Sequence, residues 1–298
     1  MRHFKFSCAI ALLLQTPSAA AEIMAVPWFD NKPVSEKYER VTTEQHAELE
    51  AAFLALFRDQ HEQPVSAFYE LYQHQWQRGE QQRQALLAAS KPDLGWGLWG
   101  YQPAQAPKVF LQAPHRFYDR GTAHIAEIGW RANLAELMMM SSVHRNTGAM
   151  QEPAVNSDIS NARRSALLAA SEAWLAVNPE GVIVQLHGFA KEKRKTMPGK
   201  RADIILSHGT NARFLPDSRL QAIQSCLISL LNVQVLRYPD QVGELGGTQN
   251  NVARALARWS KSEQLVHVEL SREVRAMLVD DPDTTEKALR CIAGAVAE

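Results

Sequence analysis

The sequence predicts an α/β fold built on a mostly parallel sheet with helices on both faces, preceded by an N-terminal helical hairpin. Three observations predict it. After residue 107, apolar β-like runs (108–113, 137–143, 181–186, 203–207, 232–237 and 264–270) alternate with helical patterns (122–136, 160–177, 216–231, 248–260 and 284–297), the signature of strands joined by helical crossovers. The runs are continuously apolar rather than alternating, as strands covered on both faces should be. Ionisable residues gather directly after the runs, where open α/β sheets place their ligands.

The chain has 298 residues, 46% of them hydrophobic, which supports a sizeable core and excludes disorder. Lys plus Arg and Asp plus Glu both number 32. A net charge of zero argues against nucleic acid as a partner bound through bulk electrostatics.

Residues 1–21 read as a secretory signal. Arg2, His3 and Lys5 form a basic start, Ala9 to Leu14 a short apolar run, and Ala19-Ala20-Ala21 a small-residue cleavage site. The apolar run is too short to span a membrane, so the expectation is a periplasmic or secreted protein without stable membrane insertion. Cys226 and Cys291 remain after cleavage. Export permits a disulfide between them; a buried free thiol in the apolar pattern around Cys226 is the other reading.

Residues 22–100 are expected to form a helical region and linker ahead of an α/β domain at 101–298. From Thr43, Leu49, Phe53, Leu56 and Phe57 share one helical face. Pro64 starts a second helical pattern with Phe68, Leu71, Tyr72, Trp76, Leu86 and Leu87. Residues 92–107, rich in Gly, Pro and aromatics, mark the boundary. Trp96, Trp99 and Tyr101 there either stack a sugar or peptide or pin the linker to the core.

The first run of the α/β region ends in Pro114, then His115 and Asp119. The second ends in His144-Arg145-Asn146, the third in His187-Gly188, the fourth in His208-Gly209, and the last carries Glu269 near its end. Chance would scatter such residues along the elements; their placement points to one shared site. Neutral imidazole and carboxylate are ordinary zinc ligands, and a catalytic zinc takes three protein ligands and keeps a fourth position open. His115, Asp119 and His187 would serve as the three, with Glu127 the rival to Asp119. Zinc there would lower the pKa of water toward ~7 and polarise a scissile carbonyl. Glu269, flanked by Val268 and Leu270, is the candidate to accept and pass on the proton. His267, two residues earlier on the same strand face, is placed to orient it. Arg145, with Asn146 beside it, is the candidate clamp for a substrate carboxylate, or else the ion-pair partner of an acid such as Asp158.

Taken together, Ala113-Pro114-His115 with Asp119, His144-Arg145-Asn146, Leu186-His187-Gly188 and Val268-Glu269-Leu270 give residues 108–275 a pattern that resembles the zinc carboxypeptidase and N-formylglutamate amidohydrolase group. The resemblance implies a phosphorylase/hydrolase-like sheet, a zinc cofactor, a histidine and a nearby acid opening the site, a later histidine completing it, and a late glutamate as base. One spacing departs from it. Carboxypeptidases place the acid three residues after the first histidine, where this chain has Tyr118. A second resemblance is to cell-wall amidases that cut between muramic acid and alanine, whose plan His115, Glu127, His187 and Glu269 would fit. The expected function is an exported zinc-dependent hydrolase of amide or peptide bonds acting on a small-molecule, peptide or peptidoglycan-derived substrate. The rivals are a muramoyl-alanine amidase-like enzyme and a non-catalytic binding protein on the same scaffold. No G-x-S-x-G elbow supports a serine hydrolase.

Overall fold

A computed structural model of the protein describes residues 35–297 apart from residues 60, 79–80, 92, 103–105 and 212–216. The expected signal segment lies outside the described residues.

The chain begins with helices α1 (Thr43–Asp59) and α2 (Gln63–Ser66), followed by strands β1 (Tyr69–Arg78), β2 (Gln81–Ser90), β3 (Leu98–Tyr101) and β4 (Val109–Ala113). It continues through α3 (Thr122–Arg131), β5 (Leu137–Met140), α4 (Ala166–Val177), β6 (Val182–Phe189), α5 (Met197–Arg201) and β7 (Ile204–Ser207). Then come α6 (Ser218–Leu231), β8 (Val235–Arg237), α7 (Asn251–Arg258), β9 (Leu265–Ser271), α8 (Arg272–Asp280) and α9 (Pro282–Ala297).

The strands form one sheet in the order β1-β2-β3-β5-β4-β6-β9-β7-β8. β5, β4, β6 and β9 run parallel, as do β7 and β8. β1, β2, β3 and β5 pair antiparallel, and so do β7 and β9. The strands after residue 107 are therefore mostly but not wholly parallel, and β1, β2 and β3 add an antiparallel part to the same sheet.

All six apolar runs read from the sequence became strands of this sheet. Period-2 alternation divides each between two cores. On β4, Val109, Leu111 and Ala113 face α3, α6, α8 and α9, while Phe110 faces α1, α4 and α7. On β6, Val182, Val184 and Leu186 face the first group and Ile183 the second. From β4 the chain moves to β5 through α3 on one face, then returns past β4 to β6 through α4 on the other. The carboxyl ends of β4 and β6 thus lie where the connections diverge, the usual crevice for a ligand in this architecture.

The helical hairpin expected at the N-terminus is corrected in its second half. α1 forms as read, but Tyr69–Arg78 and Gln81–Ser90 are strands that pair antiparallel. Tyr72 and Trp76 are four apart, a spacing that keeps two side chains on one face in either a helix or a strand. The strand wins because both faces of this hairpin find a core. Tyr69 packs edge-on against Trp99 at 5.7 Å and beside Phe53 at 5.9 Å, while Trp76 meets Trp130 at 5.4 Å on the other side.

The boundary expected at 92–107 contains β3, which pairs with β2 on one side and β5 on the other. Residues 69–101 and the later strands therefore share one sheet. Trp96 and Trp99 are fully buried, so these aromatics pin the segment to the core rather than offering a stacking platform. Cys226 on α6 and Cys291 on α9 form a disulfide, with their Cα atoms 5.7 Å apart. No helix among the described residues is long and apolar enough to cross a membrane.

Candidate metal centre

β4 stops at Pro114, and the chain enters a single tight turn. The amide of Asp119 donates to the carbonyl of His115 at 2.7 Å, which is one helical turn. Side chains four apart in such a turn lie on the same side. That is why an acid four residues after the histidine reaches the site, while Tyr118, at the spacing carboxypeptidases use, is 54% exposed. His187 lies on β6, and the parallel register sets it directly opposite Glu269 on β9. Both stand on the α4 and α7 face of the sheet, in phase with Ile183 and Leu265.

The turn and the two strands bring together residues separated by up to 154 positions. His115 Nδ1 lies 3.2 Å from His187 Nδ1, and Asp119 Oδ2 lies 3.4 Å from each. All three residues are buried. Ligands bonded to zinc at ~2.0–2.2 Å in a tetrahedron stand about 3.3–3.5 Å from one another. The three atoms therefore already occupy three corners of a zinc-sized tetrahedron.

The outer nitrogens are held as well. His115 Nε2 meets Asp158 Oδ1 at 2.8 Å. A carboxylate only accepts, so this nitrogen donates and Nδ1 is left facing inward. Asp158 is itself fixed by Arg145, by Ser160 Oγ at 2.8 Å and by Asn161 Nδ2 at 3.0 Å. His187 Nε2 meets Gln185 Oε1 at 2.7 Å. Donor types, spacing and supporting partners all fit a divalent zinc-like ion.

The electrostatics of these side chains follow from burial and these contacts. Burial opposes charge on Asp119, but hydrogen bonds from His115 and His187 hold its carboxyl well below the usual range. Burial also opposes a proton on His115, yet Asp119 and Asp158 together raise its pKa. His187 is lowered, mainly by burial. Glu269 is pushed up to about 8 by burial and by the neighbouring Asp119 charge. Its Oε2 is buried with no hydrogen-bond partner.

The centre opens into a cavity of about 1250 Å³ whose wall includes Arg120, Lys193, Arg194, Arg272 and Arg275. Arg275 sits against Gly188, where a Cβ would collide with its guanidinium at 2.1 Å. Its donors go to the carbonyls of Arg120, Phe189 and Leu270.

The remaining sequence candidates fall as follows. Arg145 lines the cavity but its fork is engaged by Asp158, with Nη1 3.3 Å from His115 Nδ1. Asn146 is exposed, at the start of a 3-10 turn, and does not line the cavity. Glu127 lines it but is bound by Arg131 at 2.7 Å and faces His124 at 3.6 Å. His208 Nδ1 meets the carbonyl of Leu265 at 2.7 Å, outside the ligand set. His267 does not orient Glu269: the closest approach is 3.9 Å, too long for a hydrogen bond. Instead it stacks on His187, ring centroids 4.7 Å apart. Gly247, in the left-handed region at φ +65°, lets the backbone pass close to His267: a Cβ there would lie 2.7 Å from its ring.

Sequence reasoning missed Gln112, Gln185 and Asn250, and saw Asp158 only as a possible mate for Arg145. Each glutamine is a single amide inside an apolar strand, in phase with the site residues. That was the available signal.

No protein-family model matches the chain, and no curated protein does. Among solved structures, it is similar to a metallo-carboxypeptidase from Burkholderia cenocepacia, with 12% identity and a TM-score of 0.38, covering 87% of this chain and 70% of that one. It is similar to a metallo-carboxypeptidase from Pseudomonas aeruginosa in complex with (2-guanidinoethylmercapto)succinic acid, with 13% identity, a TM-score of 0.38 and the same coverage. A leucine aminopeptidase from Caenorhabditis elegans gives 11% identity and a TM-score of 0.37, covering 86% of this chain and 61% of that one. Likeness at this level does not identify the chain, and its chemistry is read from its own side chains.

Proposed function

We propose that this protein is a metal-dependent hydrolase of amide or peptide bonds, with zinc held by His115, Asp119 and His187. The observation that carries the reading is the set of three ligand atoms 3.2–3.4 Å apart, with a buried, unpartnered carboxylate oxygen on the adjacent strand. When bound, zinc supplies a Lewis acid beside a scissile carbonyl and lowers the pKa of water.

The chain's own residues do the rest. Glu269 Oε2 takes a proton from the attacking water as the new C–O bond forms, and returns it to the leaving nitrogen as the C–N bond breaks. Burial and the Asp119 charge push the Glu269 pKa up to about 8, and positive charge beside it restores the carboxylate the reaction needs. His267, packed flat on His187, excludes water from that side of the ligand. Arg145 is neutralised by Asp158, so its first role is to hold the carboxylate that holds His115. Arg275, oriented by three carbonyls and with no carboxylate within ion-pair distance among the described residues, is the cation better placed to meet a substrate carboxylate. γ-Glutamyl or N-acyl amino acids, short peptides and peptidoglycan stems all carry one. Glu127 is occupied by Arg131, which favours Asp119 as the third ligand. The disulfide supports an exported protein, because such bonds persist in oxidising compartments.

The test is metal content by elemental mass spectrometry, beside His115→Ala and His187→Ala. About one zinc per chain, lost in both variants, together with turnover on an amide panel, is the expected result. No metal after zinc is supplied would overturn the reading. Zinc without turnover would move the binding-protein alternative to first place.

A further inference from the structure

Behind His187 lies a chain of buried polar side chains that the reaction itself does not use. Gln112 on β4, Gln185 on β6 and His267 on β9 stand in register across the middle of the sheet. Gln112 and Gln185 are completely buried. Two amides at the centre of an apolar sheet are costly unless every donor finds an acceptor.

Each Nε2 finds an acceptor, and the direction of the chain is set by backbone groups whose roles are unambiguous. Ser171 Oγ lies 2.7 Å from the carbonyl of Leu167, which only accepts, so the hydroxyl proton points there. Ser171 Oγ must then accept from Gln112 Nε2 at 2.9 Å. That turns Gln112 Oε1 toward Gln185, whose Nε2 donates to it at 2.8 Å. Gln185 Oε1 is therefore the atom facing His187.

A second route gives the same answer. Asn250 caps α7, with Oδ1 accepting from the amides of Val252 at 2.9 Å and Ala253 at 3.4 Å. Those amides only donate, so Asn250 Nδ2 is the atom left to face Gln185, and it donates to Oε1. Two helices, α4 and α7, thus impose one orientation on a single amide.

We infer that Gln185 is a positioning residue that holds His187 as the Nε2–H tautomer and delivers the Nδ1 lone pair to the metal, with Gln112, Ser171 and Asn250 fixing the amide that does so. Its use for metal binding rests on the proposed centre; the tautomer itself does not. Without the relay, His187 has a competing choice, because Nδ1–H could donate to Asp119 at 3.4 Å. That tautomer would block the ligand position. The relay removes the choice before the ion arrives. It also ties the ligand to residues 247–250, which line the cavity.

The experiment is ¹⁵N NMR of the His187 ring in the metal-free full chain, in wild type, Gln185→Leu and Gln185→Glu, beside zinc titration by calorimetry. Wild type should show the Nε2–H tautomer. Gln185→Leu should shift His187 toward Nδ1–H and weaken zinc about 10–100-fold. Gln185→Glu keeps an acceptor facing Nε2 and should restore the tautomer. Gln112→Leu, which leaves the acceptor but frees the amide, should give a smaller shift in the same direction. An Nδ1–H tautomer in wild type, or no change in Gln185→Leu with its fold intact by circular dichroism, would overturn the inference. A wild-type Nε2–H tautomer in a protein that binds no zinc would sink the metal centre and leave the relay standing.

Discussion

The two histidines of the centre are held by different chemistry. His115 sits on a turn after β4, and a carboxylate, Asp158, grips its outer nitrogen. His187 sits inside β6, and a neutral amide, Gln185, grips its outer nitrogen. Asp119 and Asp158 raise His115 against its burial, whereas His187 is lowered, mainly by burial. A charged partner makes the loop histidine the stronger base and the residue that stores a proton when no ion is present. A neutral partner adds no charge to offset the burial that lowers the strand histidine, so its direction rather than its basicity is what Gln185 controls. One histidine is tuned by charge and the other by orientation, each suited to its place. The loop needs a strong tether, whereas the strand is already rigid and needs only its tautomer chosen.

The largest expected effect lies with the residue that neither histidine can replace. Glu269→Gln removes the proposed proton acceptor and should lower kcat about 10²–10⁴-fold with zinc content unchanged, read by steady-state kinetics and elemental analysis together. A retained rate would move the base elsewhere. Next is Asp158→Asn, which breaks the charged half of the comparison. It should weaken zinc by about 10–100-fold and, unlike Gln185→Leu, should lower the His115 pKa as followed by NMR titration. If both variants changed the same histidine equally, the division between charge and orientation would fail. Zinc affinity of the wild type should also fall as pH falls through the raised His115 pKa, because the proton competes for the same nitrogen. In Asp158→Asn that dependence should move to lower pH. A calorimetric pH series reads both.

What the sequence made legible follows the same division. The six apolar runs were readable because buried parallel strands carry an unbroken apolar signal. His115, Asp119, His187 and Glu269 were readable because they stand at the ends or open face of those runs. The structure brings His115 Nδ1, Asp119 Oδ2 and His187 Nδ1 together and sets Glu269 across from His187. The β1–β2 hairpin was misread because Tyr72 and Trp76 fit both periods, and which one wins is settled by two cores assembled from distant chain. Asp158 was hidden in a polar loop, where nothing local separates a carboxylate that tethers a ligand from one facing solvent. Gln112 and Gln185 were visible as lone amides in apolar strands. Their meaning depends on a sheet register and on two helix ends that no local pattern encodes.

The smallest effect expected is on stability, and it separates the two sides of the site in the metal-free protein. Glu269 is raised from its ordinary 4.5 to about 8. A group raised on folding contributes fully below its unfolded value and loses that contribution as pH rises toward the folded one. Metal-free protein should therefore lose stability between about pH 4.5 and pH 8 through Glu269, by up to a few kcal/mol on the rule of about 1.4 kcal/mol per unit. His115, also raised, adds a loss in the same direction that begins only above its ordinary value of 6.5. Asp119 and Asp158 are lowered, so their contribution is present above the ordinary carboxylate value of 3.8 and is lost below it. His187 and His267 are lowered, mainly by burial, so their contribution is lost as pH falls below their ordinary value of 6.5 and opposes that of Glu269 there. The expected profile of Tm against pH is a decline from about pH 6.5 toward pH 8, with the Glu269 and histidine contributions offsetting one another between about pH 4.5 and 6.5. Glu269→Gln should remove the Glu269 share of the decline and leave Tm rising with pH below 6.5 through the two lowered histidines, and Asp158→Asn should reduce the share that His115 adds above pH 6.5. Zinc should raise Tm and shrink both, since an ion among the three ligands stabilises the ionised Glu269 and displaces the His115 proton. A decline untouched by Glu269→Gln would mean that this carboxylate is not held neutral by burial, and the base would need another source for its activation.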